Sequence, residues 1–206
     1  MDGSRNARDL GGLPTLAGGR TRHGVYIRSA DPGPATGWRD RGVRTVVDLR
    51  NDDERGVGTG LPTVHVPLDD IEDREFWQEI GDRICCPLYY PPFLRRKAER
   101  CAAAITALAR AEPGVLFHCK AGRDRTGLVT ILLLSLVGVT PAAITADYLR
   151  AATATADQAP LQVLAREGTT AKQAVEAVLD GLDAESYLLD AGTDPADIAT
   201  IRARLT

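Results

Sequence analysis

The chain has 206 residues, 44% of them hydrophobic and 26% charged, with a net charge of −3. That length and apolar content suit one globular domain over 1–206 with a substantial core. The mild negative charge argues against a nucleic-acid binder, and the longest apolar stretch, Leu128 to Val139, is too short to be an integral membrane segment.

The cysteines, Cys85, Cys86, Cys101 and Cys119, show no paired Cys-x-x-Cys spacing and so do not compose a zinc site. Cys85 and Cys86 are adjacent and could bridge one another only under strain. A reduced, cytoplasmic protein is the simplest expectation. Met1 to Arg8 is polar and offers no apolar signal segment, which leaves export by an unusual route as the alternative.

Asn6 to Pro14 is rich in turn residues, and Gly18-Gly19 marks a second turn. Val25 to Ser29 alternates enough for a short strand. Asp31 to Gly37 is a Pro/Gly-rich loop, and Thr36 is placed to cap a short helix ending near Gly42. Val43 to Leu49 reads as a buried strand, followed by a charged loop or helix start at Arg50 to Arg55. Thr63 to Val66 is another strand, closing on Pro67 to Asp70. Glu72 to Ile80 suits a helix, and Cys85 to Pro92, with its prolines, an irregular segment. From Leu94 to Arg110 the apolar residues Ala98, Cys101, Ile105 and Leu108 share one helical face.

Val115-Leu116-Phe117 then reads as a buried strand and Leu128 to Val139 as a core helix. Beyond Gly138 the pattern is helical. Thr140-Pro141 opens a helix to Ala152, and Leu161 to Arg166, Ala171 to Leu182 and Asp194 to Leu205 are further helices. The expectation is an α/β fold: a small central sheet flanked by helices, one helix between the last two strands, and a helical C-terminal half.

Between the apolar strand and the core helix stands His118-Cys119-Lys120-Ala121-Gly122-Arg123-Asp124-Arg125-Thr126-Gly127. A cysteine at a strand end, six residues before an arginine at a helix start, makes an anion site. The backbone N–H groups of Lys120 to Arg125 can curl around one tetrahedral oxyanion, and the helix N-terminus adds partial positive charge. Gly122 permits a backbone conformation that a side chain hinders, and Arg125 offers a planar fork to phosphate oxygens. The same field favours the thiolate of Cys119, a nucleophile aimed at phosphorus. Thr126 can donate its hydroxyl to the sulfur, and His118 is suited to fixing loop geometry. A leaving oxygen also needs an acid: Asp124, Asp69 or Asp70. This chemistry requires neither metal nor cofactor. A structural loop would not need four charged residues between two apolar elements.

The loop resembles the signature of cysteine-dependent protein tyrosine and dual-specificity phosphatases. The whole chain is similar to the bacterial tyrosine/lipid phosphatase family. Its Asn-Phe-Arg-Asp-Leu-Gly-Gly segment is matched by Asn6 to Gly12, and its Tyr-Arg-Ser element is resembled by Tyr26 to Ser29. Its Asp-Leu-Arg with a following glutamate is matched by Asp48 to Arg50 and Glu54, and its Asp-Tyr-Leu by Asp147 to Leu149. The resemblance implies a Cys-x5-Arg phosphatase loop between the last strand and the core helix, and a phosphocysteine intermediate. It implies phosphotyrosine proteins as substrates, with phosphoserine/threonine proteins or phosphoinositides as further classes. It also favours Asp124 as the acid over Asp69.

Several residues depart from the family pattern. Ala7 replaces an aromatic, Arg123 replaces a lysine, and Lys120 adds a cation that either reads extra ring phosphates or points to solvent. No Trp-Pro-Asp acid loop is present: Trp38 and Trp77 are followed by other residues. Arg95-Arg96-Lys97 reads as a solvated face, Asp48 with Arg50 as an ion pair bracing the loop, and Tyr89 and Tyr90 as pocket rim or core. Two other readings compete with the phosphatase: a rhodanese-like sulfurtransferase, opposed by the Arg-Thr-Gly ending, and a non-catalytic phosphate-reading module.

Overall fold

The computed structural model describes residues 6–34, 37–155 and 157–206. Val115–His118 forms β5 and Thr45–Asp48 forms β3, and every side chain in both is buried. Strands covered on both faces read as continuous apolar runs rather than alternations. Tyr26–Ser29 is β2, Thr63–His65 is β4 and Arg8–Asp9 is a two-residue β1. The sheet order is β1-β2-β5-β3-β4, antiparallel only at the β1 edge. The register sets Ser29, His118, Asp48 and His65 in one row at the C-terminal edge. Ligands of parallel sheets bind at that edge, and β5, in the middle, delivers its loop there.

Helices cover the sheet: α1 (Arg74–Ile80), α2 (Tyr90–Arg96), α3 (Ala98–Arg110), α4 (Asp124–Leu136), α5 (Pro141–Ala154), α6 (Ala159–Arg166), α7 (Ala171–Asp180), α8 (Ala184–Asp190) and α9 (Pro195–Leu205). The first of them to follow the loop, α4, is buried from Thr126 to Leu134, because α3, α5, α8 and α9 pack around it. A helix that is apolar all round needs such a jacket. At Gly127 the jacket comes close: a Cβ there would lie 2.9 Å from the Tyr90 hydroxyl and 3.2 Å from the Tyr148 ring. Beside it Phe93 meets Phe76 and Tyr89 edge-to-face, with ring centroids at 6.0 and 5.7 Å. Tyr89 and Tyr90 are therefore core residues.

Several expectations are corrected by packing. Cys85 to Pro92 is helical rather than irregular: 3-10 turns at Gly81–Cys85 and Pro87–Tyr89 run into α2. Pro91 and Pro92 fall in its first turn, where no intrahelical N–H is lost. The helix expected over Leu94 to Arg110 is broken at Lys97, so three helices, not one, separate β4 from β5. Arg95, Arg96 and Lys97 consequently end a helix, where the dipole favours cations. Nor are they simply solvated: Lys97 is buried and donates to Asp70 (3.0 Å) and Asp73 (2.5 Å), while Arg96 donates to Asp73 and Glu75. Helix α8, which starts on an Asp183 cap, and the short β1 were not anticipated. Thr36 lies outside the described residues, and Trp38 to Gly42 is a run of turns rather than a helix.

Candidate active site

The loop from Cys119 to Arg123 is built by tying its carbonyls back. The Cys119 carbonyl accepts from His118 Nδ1 (3.0 Å), which must be the donor because a carbonyl only accepts. The Lys120 carbonyl accepts from the Asp31 amide at 3.0 Å, and that of Ala121 from Asn6 Nδ2 at 2.9 Å. The Gly122 carbonyl accepts from Arg28 Nη2 at 2.7 Å, that of Arg123 from the Gly127 amide at 2.8 Å, and that of Asp124 from the Tyr90 hydroxyl at 2.9 Å. In a trans peptide the N–H points opposite to the C=O. The amides of Lys120 to Arg125 therefore face the other way, and among the described residues they meet no acceptor. Gly122 makes the turn at φ +67°, and a Cβ there would lie 2.5 Å from the Ser29 carbonyl oxygen and the Ala30 nitrogen.

The donors are themselves braced. Arg28 is wholly buried in β2 and pairs with Asp147, which also accepts from Arg8 Nε at 2.5 Å. Burial pushes the Asp147 carboxyl up, but the two guanidiniums outweigh it and hold it below the usual carboxylate range. On the other side Arg50 donates to both Asp48 oxygens (3.0 and 2.9 Å) and to Asp31 (2.6 Å). The expected Asp48–Arg50 pair is thus present, and it reaches the loop through the Asp31 amide. Asp48 lies 3.7 Å from His118 Nε2. Burial lowers the pKa of His118.

Arg125 stands in the first turn of α4. Its Nη1 and Nη2 both donate to the Glu54 carboxylate, the Nη2 bond at 2.8 Å, and its Nε lies 3.3 Å from Asp69. Glu54 is held below the usual range chiefly by that bond. Asp69 goes the other way. Burial raises it to about 6 against the pull of Arg125, with Glu54 and Asp124 adding to the rise. Asp69 is far from the plain strand-end carboxylate its sequence position suggests, whereas Asp70 is spent on Lys97 and Arg100.

The remaining loop residues divide. Cys119 is 2% exposed. The Thr126 hydroxyl is fully buried with no hydrogen-bond partner among the described residues, so the expected bond to the Cys119 sulfur is not formed here. Lys120 and Ala121 are exposed. Arg123, expected beside them in the anion site, turns the other way. Its guanidinium is buried, its Nε donates to both Asp124 oxygens at 3.1 Å, and its Nη atoms reach Thr155 and Asp157. Burial raises the pKa of Asp124, opposed by Arg123. The bracing by Asn6, Arg28, Asp31 and Tyr90 escaped sequence reasoning. An arginine inside an apolar strand was the available signal, since a buried charge must have a partner.

The chain is similar in sequence to proteins named as phosphatases. A Mycobacterium tuberculosis protein named triple specificity protein phosphatase PtpB is 32% identical over 187 residues, 73% of this chain and 67% of that one. A Cupriavidus necator protein bearing the name of a tyrosine-protein phosphatase is 30% identical over 168 residues, 72% of this chain. The match spans 61% of that relative's length. Among solved structures, a P. aeruginosa TpbA variant in complex with pTyr overlays with a TM-score of 0.48 at 19% identity, over 83% of this chain and 88% of the other. The match to the family described as tyrosine phosphatases runs over residues 1–206. A chain whose whole length fits that pattern belongs to the tyrosine phosphatase family, a family of phosphatase enzymes.

Proposed function

We propose that the chain is one tyrosine-phosphatase-like domain that hydrolyses phosphomonoesters through a phosphocysteine. The observation that carries this is the loop's hydrogen bonding. Carbonyls from Cys119 to Asp124 are held outward while the amides of Lys120 to Arg125 are unspent. That is a preorganised cradle for a tetrahedral dianion, with Cys119 at its start and Arg125 at its rim. A core cluster running from Leu10 to Leu205 supports reading 1–206 as a single unit.

In this reading the Cys119 thiolate attacks phosphorus in line, forming the S–P bond as the bond to the leaving oxygen breaks. Arg125 and the amides hold the non-bridging oxygens. For the acid we favour Asp69 over Asp124. Burial raises Asp124 as well, but both of its oxygens already accept from Arg123. Asp69 is largely but not wholly buried, raised to about 6 and beside Arg125, suited to give a proton to the leaving oxygen. Once ionised it can take a proton from the water that attacks the phosphocysteine. The S–P bond then breaks, inorganic phosphate leaves, and Thr126 donates its unpaired hydroxyl to the departing sulfur.

Phosphotyrosine proteins are the substrate class we assign first. The triple-specificity name of the mycobacterial relative brings phosphoserine/threonine proteins and phosphoinositides into the panel to be assayed. Exposed Lys120 is the residue that supports the lipid reading. The family match speaks against sulfur transfer. The decisive experiment is aryl phosphate and phosphopeptide hydrolysis by wild type and Cys119→Ser, with and without EDTA. Loss in the variant and full wild-type activity in EDTA are expected. Turnover by Cys119→Ser would sink the mechanism, and no phosphate release from any substrate would favour a phosphate-reading module. If Lys120→Ala leaves the ratio of phosphoinositide to phosphotyrosine turnover unchanged, the lipid reading loses its basis.

A further inference from the structure

Helices α5 and α6 and the turn at Pro87 border a cavity of about 300 Å³ that Arg123 lines and Cys119 and Arg125 do not. Its walls are mainly apolar, with Leu149, Ala152, Pro160, Leu161 and Leu164 among them. The volume is at the small end of ligand pockets. We propose that this cavity binds a small amphipathic carboxylate, with its head on the Nη edge of Arg123 and its chain among Leu149, Leu161 and Leu164.

The recognition chemistry is a buried cation in an apolar wall. Arg123 is 7% exposed, and its Nε edge is committed to Asp124. Its Nη edge meets Thr155 at 3.1 Å and Asp157 at 3.3 and 3.4 Å. Those last contacts are long, and Asp157 is 43% exposed. Asp157 is the open member of the pair, so it can return to solvent while a ligand carboxylate replaces it, charge for charge. Desolvated inside the cavity, the replacement gains a closer bidentate pair. Leu161, an apolar side chain left 55% exposed at the cavity's lip, would cover the chain. The cradle's amides and Arg125 take no part, so the two sites can fill independently.

The probe is octanoate, titrated by calorimetry into the full chain in saturating inorganic phosphate, with octanamide as the neutral control. Saturable binding undisturbed by phosphate is expected, with octanamide weaker by about tenfold or more. Asp157→Asn removes the competing carboxylate and should tighten octanoate by about three- to fivefold. Leu161→Glu, at an exposed position, should weaken it by at least about tenfold. The proposal is overturned if octanoate fails to saturate, if phosphate displaces it (placing it in the cradle), if octanamide binds equally well, or if Asp157→Asn leaves the affinity unchanged or lower.

Discussion

Replacing Asp69 with asparagine should lower activity and raise stability at once. The carboxyl is raised from 3.8 to about 6, first by burial and then by Glu54 and Asp124. The folded protein therefore binds a proton there that the unfolded chain has lost between those two values. The stabilising contribution of the protonated form is complete below 3.8 and disappears as pH rises through about 6. At neutral pH the ionised carboxylate costs up to about 3 kcal/mol. Asparagine, neutral and isosteric, should recover part of that, about 1–2 kcal/mol, seen as a higher urea midpoint at pH 7.5 and no gain near pH 4. As the acid, Asp69 sets a falling limb of kcat/KM above about 6 in wild type. At pH 8 roughly 1% remains protonated. Asp69→Asn should erase that limb and slow phenyl phosphate by roughly 10²–10⁴-fold. A nitrophenyl ester, which leaves without a proton, should slow far less. An intact limb in Asp69→Asn and a lost one in Asp124→Asn would refute the assignment and restore Asp124.

Three other variants probe the loop. Gly122→Ala puts a methyl 2.5 Å from the Ser29 and Ala30 backbone at φ +67°; it should cost more than about 1 kcal/mol and weaken phosphate binding, measured by calorimetry. Thr126→Val removes a buried hydroxyl without a partner, so stability should hold within about 1 kcal/mol while breakdown of the phosphocysteine slows. Rapid-quench kinetics with nitrophenyl phosphate should then show a burst, and a linear trace with unchanged kcat would remove the leaving-group role. Asp147→Asn leaves buried Arg28 and partly buried Arg8 without a counter-charge and should destabilise by about 3–5 kcal/mol. A urea midpoint equal to wild type would show that the bracing is dispensable.

Long or strongly patterned segments were legible in advance. The apolar runs at β5 and α4 announced a buried strand and a jacketed helix because few other structures hide uninterrupted apolar chain. The Cys119-to-Arg125 spacing pointed to a tight turn between β5 and α4, and the loop does turn there at Gly122. Short elements were not legible: β1, α8 and the 3-10 turns before α2 have too few residues for any period to show. The break at Lys97 depends on Asp70 and Asp73 arriving from another segment.

What each side chain meets belonged to the tertiary structure. Arg123 and Arg125 are two residues apart at the start of one helix, about 200° apart around its axis. One consequently faces α5 and Asp157, the other Glu54 and Asp69. The local string specifies which residue types the loop carries, a cysteine, a glycine and two arginines, and at what spacing. Which carboxylate stays protonated is set by burial and by charges from residues 54, 69 and 124 brought together. What holds the amides inward is set by residues 6, 28, 31 and 90, far from the loop in sequence. Spacing is a property of the chain, whereas desolvation and long-range pairing exist only once it has folded.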